Sequence, residues 1–235
     1  MMLRSLRIVL LAASAAAMLG VPASATLLVN LTTVELTPAN RVHDITVQNG
    51  DDRPHILQAS VVAWAQGEDG TITREPTTDL VVAPRVVELA PSGTQVVRVL
   101  ARAPLTDTAE KSYRVELEEI APRGSGRISV SVNSSYGIYV FTLAPNATRP
   151  DLSVALARVD AGHARLTFKN AGTMHALLGD VKIVAGGRTI YEGKPMPFIL
   201  GASTRSAVLP LAADADLGAA TIEYQVNGHA RVAKL

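Results

Sequence analysis

The chain has 235 residues, 22 Lys+Arg against 21 Asp+Glu, no cysteine and 48% hydrophobic residues. A near-neutral balance gives no electrostatic reason to expect nucleic acid or an anionic membrane as partner. Without cysteine there are no disulfide staples, so an exported protein of this composition folds on core burial alone.

Residues 1–25 read as a secretory signal. Arg4 and Arg7 supply the positive region, Ile8 to Leu19 a short apolar core, and Ala23-Ser24-Ala25 a small-residue cleavage site. The apolar core is shorter than the ~20 residues a membrane-spanning helix needs, and no later stretch is long enough, so the protein is expected to be exported and not membrane-embedded. Removing the leader takes away two arginines and no acid, leaving 20 basic against 21 acidic residues. A mature chain from Thr26 fits two domains of about 100 residues each, predicted at 26–147 and 148–235.

Leu27 to Leu36 and Asp44 to Gln48 alternate as strands, with a turn at Thr37-Pro38-Ala39-Asn40. Asn49-Gly50-Asp51-Asp52-Arg53-Pro54 is a second turn, His55 to Trp64 another strand, and Gly67 to Gly70 a third turn. Short β-branched runs follow at Leu80 to Val82, Val86 to Leu89 and Gln95 to Leu100. In Tyr113 to Ile120 the residues Tyr113, Val115 and Leu117 alternate with Arg114, Glu116 and Glu118, a strand with one solvated face. No window carries a helical stripe. Short strands with turns at near-regular spacing predict an all-β fold, an antiparallel sandwich of the immunoglobulin type.

The stretch from Gly126 to Pro145 predicts a long strand. Its first half puts Ile128, Val130 and Val132 on one face and Ser129 and Ser131 on the other. Its second half, Ile138 to Phe141, is apolar on both faces and is expected to be buried on both. Periodicity leaves open whether the first half faces the chain's own core or a partner. After a linker at Asn146 to Pro150, strands are expected at Leu152 to Leu156, Ala164 to Lys169, Asp180 to Val184, Thr189 to Glu192, Ala207 to Leu211 and Thr221 to Val226. Asn227-Gly228 signals a type I′ hairpin. This is a second β-sandwich.

Chemistry-bearing motifs are scarce. His43, His55, His163, His175 and His229 show no metal-ligand spacing, and each reads as a surface or turn residue. No G-x-S-x-G elbow, phosphate loop or H-E-x-x-H motif occurs, so an enzyme, a cofactor or a metal site is not expected. Glu116, Glu118 and Glu119 read as a polar outer face. Arg114, between Tyr113 and Val115, needs a partner: a structural ion pair, or a carboxylate gripped by two parallel hydrogen bonds.

The order of motifs resembles the periplasmic chaperones of the chaperone/usher pilus pathway. The resemblance rests on Asp44 to Asn49, Gln58 to Gln66, Leu80 to Pro84, Leu89 to Val99 and Ser112 to Pro122, and it covers nearly the whole mature chain. Trp64-x-Gln66 and Tyr113-Arg114-Val115 are most similar to its archaic branch, and Asn170-Ala171-Gly172 with His175 is similar to a turn of the family's second domain. The resemblance implies a boomerang of two immunoglobulin-like domains in the periplasm. Such a chaperone holds pilus subunits by donor-strand complementation and delivers them to an outer-membrane usher.

The residues implied to plug the subunit are Ile128, Val130 and Val132. In that family the subunit's terminal carboxylate is usually held by an arginine on the first strand and a lysine on the seventh, and the matching positions here are Thr33 and Gly137. Arg114, with Arg98 as partner, is the implied replacement. Pro84-Arg85 stands where the family usually has two prolines, which weakens the expectation of a cis bond there. A free exposed strand invites protection, for which a self-capping dimer is one form. The rival reading is a secreted two-domain adhesion or structural module without chaperone activity.

Overall fold

The computed structural model describes residues 27–67, 71–120, 135–212 and 214–235, and Ile128, Val130 and Val132 lie outside them. Every regular element among the described residues is a strand. None of them is a helix long and apolar enough to cross a membrane.

The first unit holds β1 (Leu27–Val29), β2 (Thr33–Leu36), β3 (Val42–Asn49), β4 (His55–Gln66), β5 (Ile72–Pro76), β6 (Leu80–Ala83), β7 (Val86–Leu89), β8 (Thr94–Ala101), β9 (Lys111–Glu119) and β10 (Ser135–Thr142). One sheet runs β1-β3-β8-β6; the other runs β2-β10-β9-β4-β5 with β7 also on β4. This is the immunoglobulin arrangement of two facing sheets. Inward residues at every second position meet between them, among them Val34, Ile45, Val47, Leu57, Val97, Val99, Val115, Leu117, Ile138 and Val140.

Two runs expected to continue in one sheet cross between sheets instead. Leu27 to Leu36 is split because β1 pairs with β3 while β2 pairs in parallel with β10. The crossing is tied down where the Asn30 amide donates to the Thr46 carbonyl and the Thr46 amide donates to Asn30 Oδ1 at 2.8 Å. The second crossing separates β6, on β8, from β7, on β4. Against the weakened expectation, the Ala83–Pro84 peptide between them is cis.

The second unit holds β11 (Leu152–Asp160), β12 (His163–Asn170), β13 (Ala176–Ala185), β14 (Arg188–Gly193), β15 (Phe198–Ile199), β16 (Thr204–Pro210), β17 (Thr221–Val226) and β18 (His229–Lys234). Its sheets are β11-β12-β16 and β14-β13-β17-β18, with β15 on β13. Leu166, Phe168, Val181, Ile183, Ile199 and Ile222 fill the space between them. Asn227 and Gly228 both have positive φ, 50° and 78°, as the type I′ turn between β17 and β18 requires.

In each unit a buried asparagine ends one long strand. Asn49 ends β3, donating to the carbonyls of Arg53 and Ala90 and accepting from the Asp51 amide. Asn170 ends β12, donating to Met174 and Leu200 and accepting from the amides of Asp151 and Gly172. Backbone polar groups of each turn are thereby satisfied by one side chain.

Candidate functional site

Strand β10 carries the site. On one side it pairs antiparallel with β9 along its whole described length, Ser135 to Thr142. On the other side β2 pairs only with Tyr139 to Thr142. Among the described residues the ladder groups of Ser135 to Ile138 on that side have no strand beside them. Among the described residues, β10 therefore begins on an edge with one ladder side unpaired as far as Ile138.

The second half of β10 is buried on both faces, as its composition predicts, and the two faces differ. Ile138 and Val140 point into the sandwich core. Tyr139 and Phe141 point outward, where Trp64 of β4 and Phe198 and Leu200 of the second unit form a separate aromatic cluster with them. Ring centroids lie 5.2 Å apart for Trp64 and Tyr139 and 4.6 Å for Tyr139 and Phe198. Gln66 adds two bonds between the units, donating from Nε2 to the Phe198 carbonyl at 3.0 Å and accepting from the Leu200 amide at 3.2 Å. These contacts give the Trp64-x-Gln66 motif a physical role at the junction.

A second link is polar and buried. Glu110 accepts from the His175 amide and faces His175 Nδ1 at 2.9 Å, with side chains only 2% and 9% exposed respectively. The His175 ring stacks on Phe141 at 3.6 Å with an interplanar angle of 9°. The expectation that all five histidines are surface or turn residues therefore fails at His175. It fails also at His55, which is buried with Nδ1 2.6 Å from Glu119. In both cases a carboxylate supplies the partner that burial demands.

Arg114 lies beside Tyr139 in the β9–β10 register and on the same outward face. Its guanidinium sits over the Tyr139 ring, 5.2 Å from the centroid, and donates from Nη1 to the phenol oxygen at 3.3 Å. It also covers Gly137: a Cβ there would collide with its Nη2, Cζ and Nε. Arg114 thus fills, from the neighbouring strand, the space beside Gly137, while Thr33 pairs with Tyr139 from the other side. The nearest acid is Glu116, 3.7 Å from Arg114 Nε and 3.4 Å from Arg74 Nε. Arg114 Nε is buried without a hydrogen bond among the described residues.

Arg98 is elsewhere. It projects from the outer face of the other sheet, on β8, and grips Asp44 of β3 with Nε to Oδ1 at 2.6 Å and Nη2 to Oδ2 at 2.9 Å. That contact holds the Asp44 carboxyl below its ordinary pKa. The two arginines paired in the sequence reading thus stand on opposite outer faces of the sandwich, and Arg98 already has its carboxylate.

Sequence reading missed Glu110, Phe198 and Arg205. Arg205, on β16, donates from Nη1 to the Phe198 carbonyl at 3.2 Å. Phe198 sits in the short apolar run Pro197-Phe198-Ile199-Leu200, a usable signal. Glu110 and Arg205 carry no local one. Among the described residues no group of three or more His, Asp or Glu side chains is arranged to hold a metal ion.

The family model for pili and flagellar-assembly chaperones, PapD N-terminal domain, matches residues 26–147. No curated protein matches by sequence. Among solved structures, the chain is similar to one from the CsuC–CsuE chaperone–tip adhesion subunit pre-assembly complex of the archaic Csu pili of Acinetobacter baumannii. That match has 19% identity and a TM-score of 0.65 and covers 89% of this chain and 98% of that one. The Escherichia coli chaperone DraB matches at 22% identity and TM-score 0.60, covering 89% and 98%. The Pseudomonas aeruginosa CupB2 chaperone matches at 17% identity and TM-score 0.59, covering 88% and 100%. These likenesses establish the two-unit immunoglobulin-like fold. With the family model spanning more than half of its sequence, this chain belongs to the pili and flagellar-assembly chaperones.

Proposed function

We propose that this protein is a periplasmic, non-catalytic chaperone that binds pilus subunits by lending them the strand leading into β10 and hands them to an outer-membrane usher. On this reading residues 1–25 are the cleaved leader, 26–147 the capturing domain and 148–235 the second domain. The observation that carries it is the edge of β10 at Ser135 to Ile138, unpaired on one side among the described residues and continuous in sequence with the alternating Ile128, Val130 and Val132. A subunit whose own sandwich lacks a strand would pair with that edge through main-chain hydrogen bonds and receive the three side chains in its groove. Each aliphatic side chain contributes about 1.5–3 kcal/mol before ordering costs are subtracted. That is enough to hold a subunit and still release it by exchange. The CsuC–CsuE structure is itself a complex of a chaperone with a tip adhesion subunit.

Arg114 is the residue proposed to meet the subunit's terminal carboxylate. Among the described residues Arg114 donates to Tyr139 and lies 3.7 Å from Glu116, which leaves part of its guanidinium fork without a partner, and Arg98 is removed from the role by its bond to Asp44. The test is co-purification from periplasm of the wild type and of an Ile128→Ser/Val130→Ser/Val132→Ser variant, with thermal unfolding of both. The expected result is a small β-rich subunit that accompanies the wild type and is lost from a variant that still unfolds cooperatively. A variant that cannot fold would assign these residues to the chaperone's own core. Folded proteins that both lack a partner would favour the module reading.

A further inference from the structure

We propose that the first unit carries a small-anion site on its flank, where Arg85 and Arg102 line one cavity and together bind a free dianion of the phosphate or dicarboxylate class. The site shares no residue with the lent strand or with the aromatic junction.

The cavity follows from how the two sheets part. β5 pairs with β4 at Val62 to Gln66, and β7 pairs with it at His55 to Gln58. Between them, on the side away from β9, Ala59 to Val61 have no strand alongside among the described residues, and the Ala59 amide donates instead to the Arg85 carbonyl at 2.8 Å. Across the gap runs β6, the last strand of the facing sheet. The space enclosed is about 180 Å³. Sites for drug-sized ligands hold roughly 300–1,000 Å³, so this one suits a ligand of a few heavy atoms.

Charge selects the sign of that ligand. Arg102 follows β8, and its amide donates to the Asp79 carbonyl at the Leu80 end of β6; Arg85 lies past the Ala83 end, on the crossing to β7. Both line the cavity together with the hydroxyl-bearing Ser60, Thr77 and Thr78, and no acid lines it. Neither guanidinium has a hydrogen-bond or ion-pair partner among the described residues. Asp79, whose carbonyl meets Arg102, has its carboxylate engaged elsewhere: it accepts from the Tyr113 phenol at 2.7 Å and lies 3.7 Å from Lys111. In that neighbouring cavity Lys111 also has Asp107 at 3.2 Å, so the charges there answer one another. Two arginine forks on one small cavity, with hydroxyls and no carboxylate, are a donor set suited to a doubly charged oxyanion. The bound anion would tie the crossing between β6 and β7 to the end of β8 and stabilise the first unit by mass action.

The experiment titrates inorganic phosphate into the protein purified from periplasm, with chloride at matched ionic strength as reference, and reads affinity by calorimetry alongside the melting temperature. Succinate in a second titration separates the tetrahedral from the dicarboxylate class. At least one of the two anions is expected to bind and raise the melting temperature, and Arg85→Gln and Arg102→Gln are each expected to weaken that binding about tenfold. Both arginines are exposed, so the variants should keep the wild-type melting temperature in chloride. Arg165→Gln, which removes an exposed arginine of β12 in the second unit, should leave the affinity unchanged. The site is overturned if neither anion binds more tightly than chloride, if either cavity variant keeps the wild-type affinity, or if Arg165→Gln weakens binding as much, as a diffuse charge effect would. None of these outcomes bears on the lent strand, which the serine variant judges separately.

Discussion

Position 137 shows what one missing side chain does for a site. Because Gly137 has no Cβ, the Arg114 guanidinium lies across β10 in space a side chain would occupy. In Gly137→Ala the colliding group is the end of a flexible side chain that can swing away. Stability should therefore fall by less than about 1 kcal/mol, while preference for a free carboxylate over an amide drops about tenfold, both checked on the same preparation. Asn170 is the opposite case. It is 1% exposed and bonds backbone groups of Asp151, Gly172, Met174, Ile199 and Leu200, so Asn170→Ala should lower stability in urea by about 3 kcal/mol, with no direct effect on the cleft. Tyr113 predicts a pH effect. Burial and the Asp79 carboxylate, which accepts its hydrogen bond at 2.7 Å, hold the phenol well above its ordinary value. Above pH about 10 the unfolded chain loses a proton that the folded chain keeps, so stability falls as pH rises through that window. Tyr113→Phe should flatten this alkaline limb in a pH series of melting temperatures, leaving the smaller share from Tyr191 and Tyr224, also shifted upward by burial.

At the level of elements, period-two alternation made most strands legible, because each faces one core and solvent on the other side. Tyr113, Val115 and Leu117 of β9 are buried in the positions alternation assigns them. Crossings between sheets were not legible: both halves of Leu27 to Leu36 alternate alike, and only the strand each half pairs with tells them apart. β5 is exposed throughout and β15 is two residues long, so neither offers a hydrophobic period. The burial of His55 and His175 was hidden because their carboxylates, Glu119 and Glu110, lie 64 and 65 residues away in sequence. The site was half legible. The alternation at 128–132 stands in the sequence but lies outside the described residues, the oddity of Arg114 could be read directly, and the placement of Arg98 on the far face follows from sheet assignment alone. The doubly apolar run of β10 was readable as buried, and the second unit supplies the reason.

For the whole molecule the junction is a third core shared by two sandwiches. Phe198→Ala removes the ring that touches Trp64, Tyr139 and Phe141, and should cost about 3 kcal/mol. Calorimetry should then resolve two transitions where a single one is expected of the wild type, because the loss falls between units rather than within either. The double burial of β10 has a further consequence. A slip of one residue would drive Tyr139 and Phe141 into the first core and turn Ile138 and Val140 toward the second unit, a swap that neither wall has the shape to accept. From Tyr139 back to Val132 is seven residues, which would span about 23 Å if fully extended. On the proposed function the aromatic junction would work as the zero mark of a ruler: it would decide, from one end, which side chain of a lent segment reaches each pocket of whatever the strand enters.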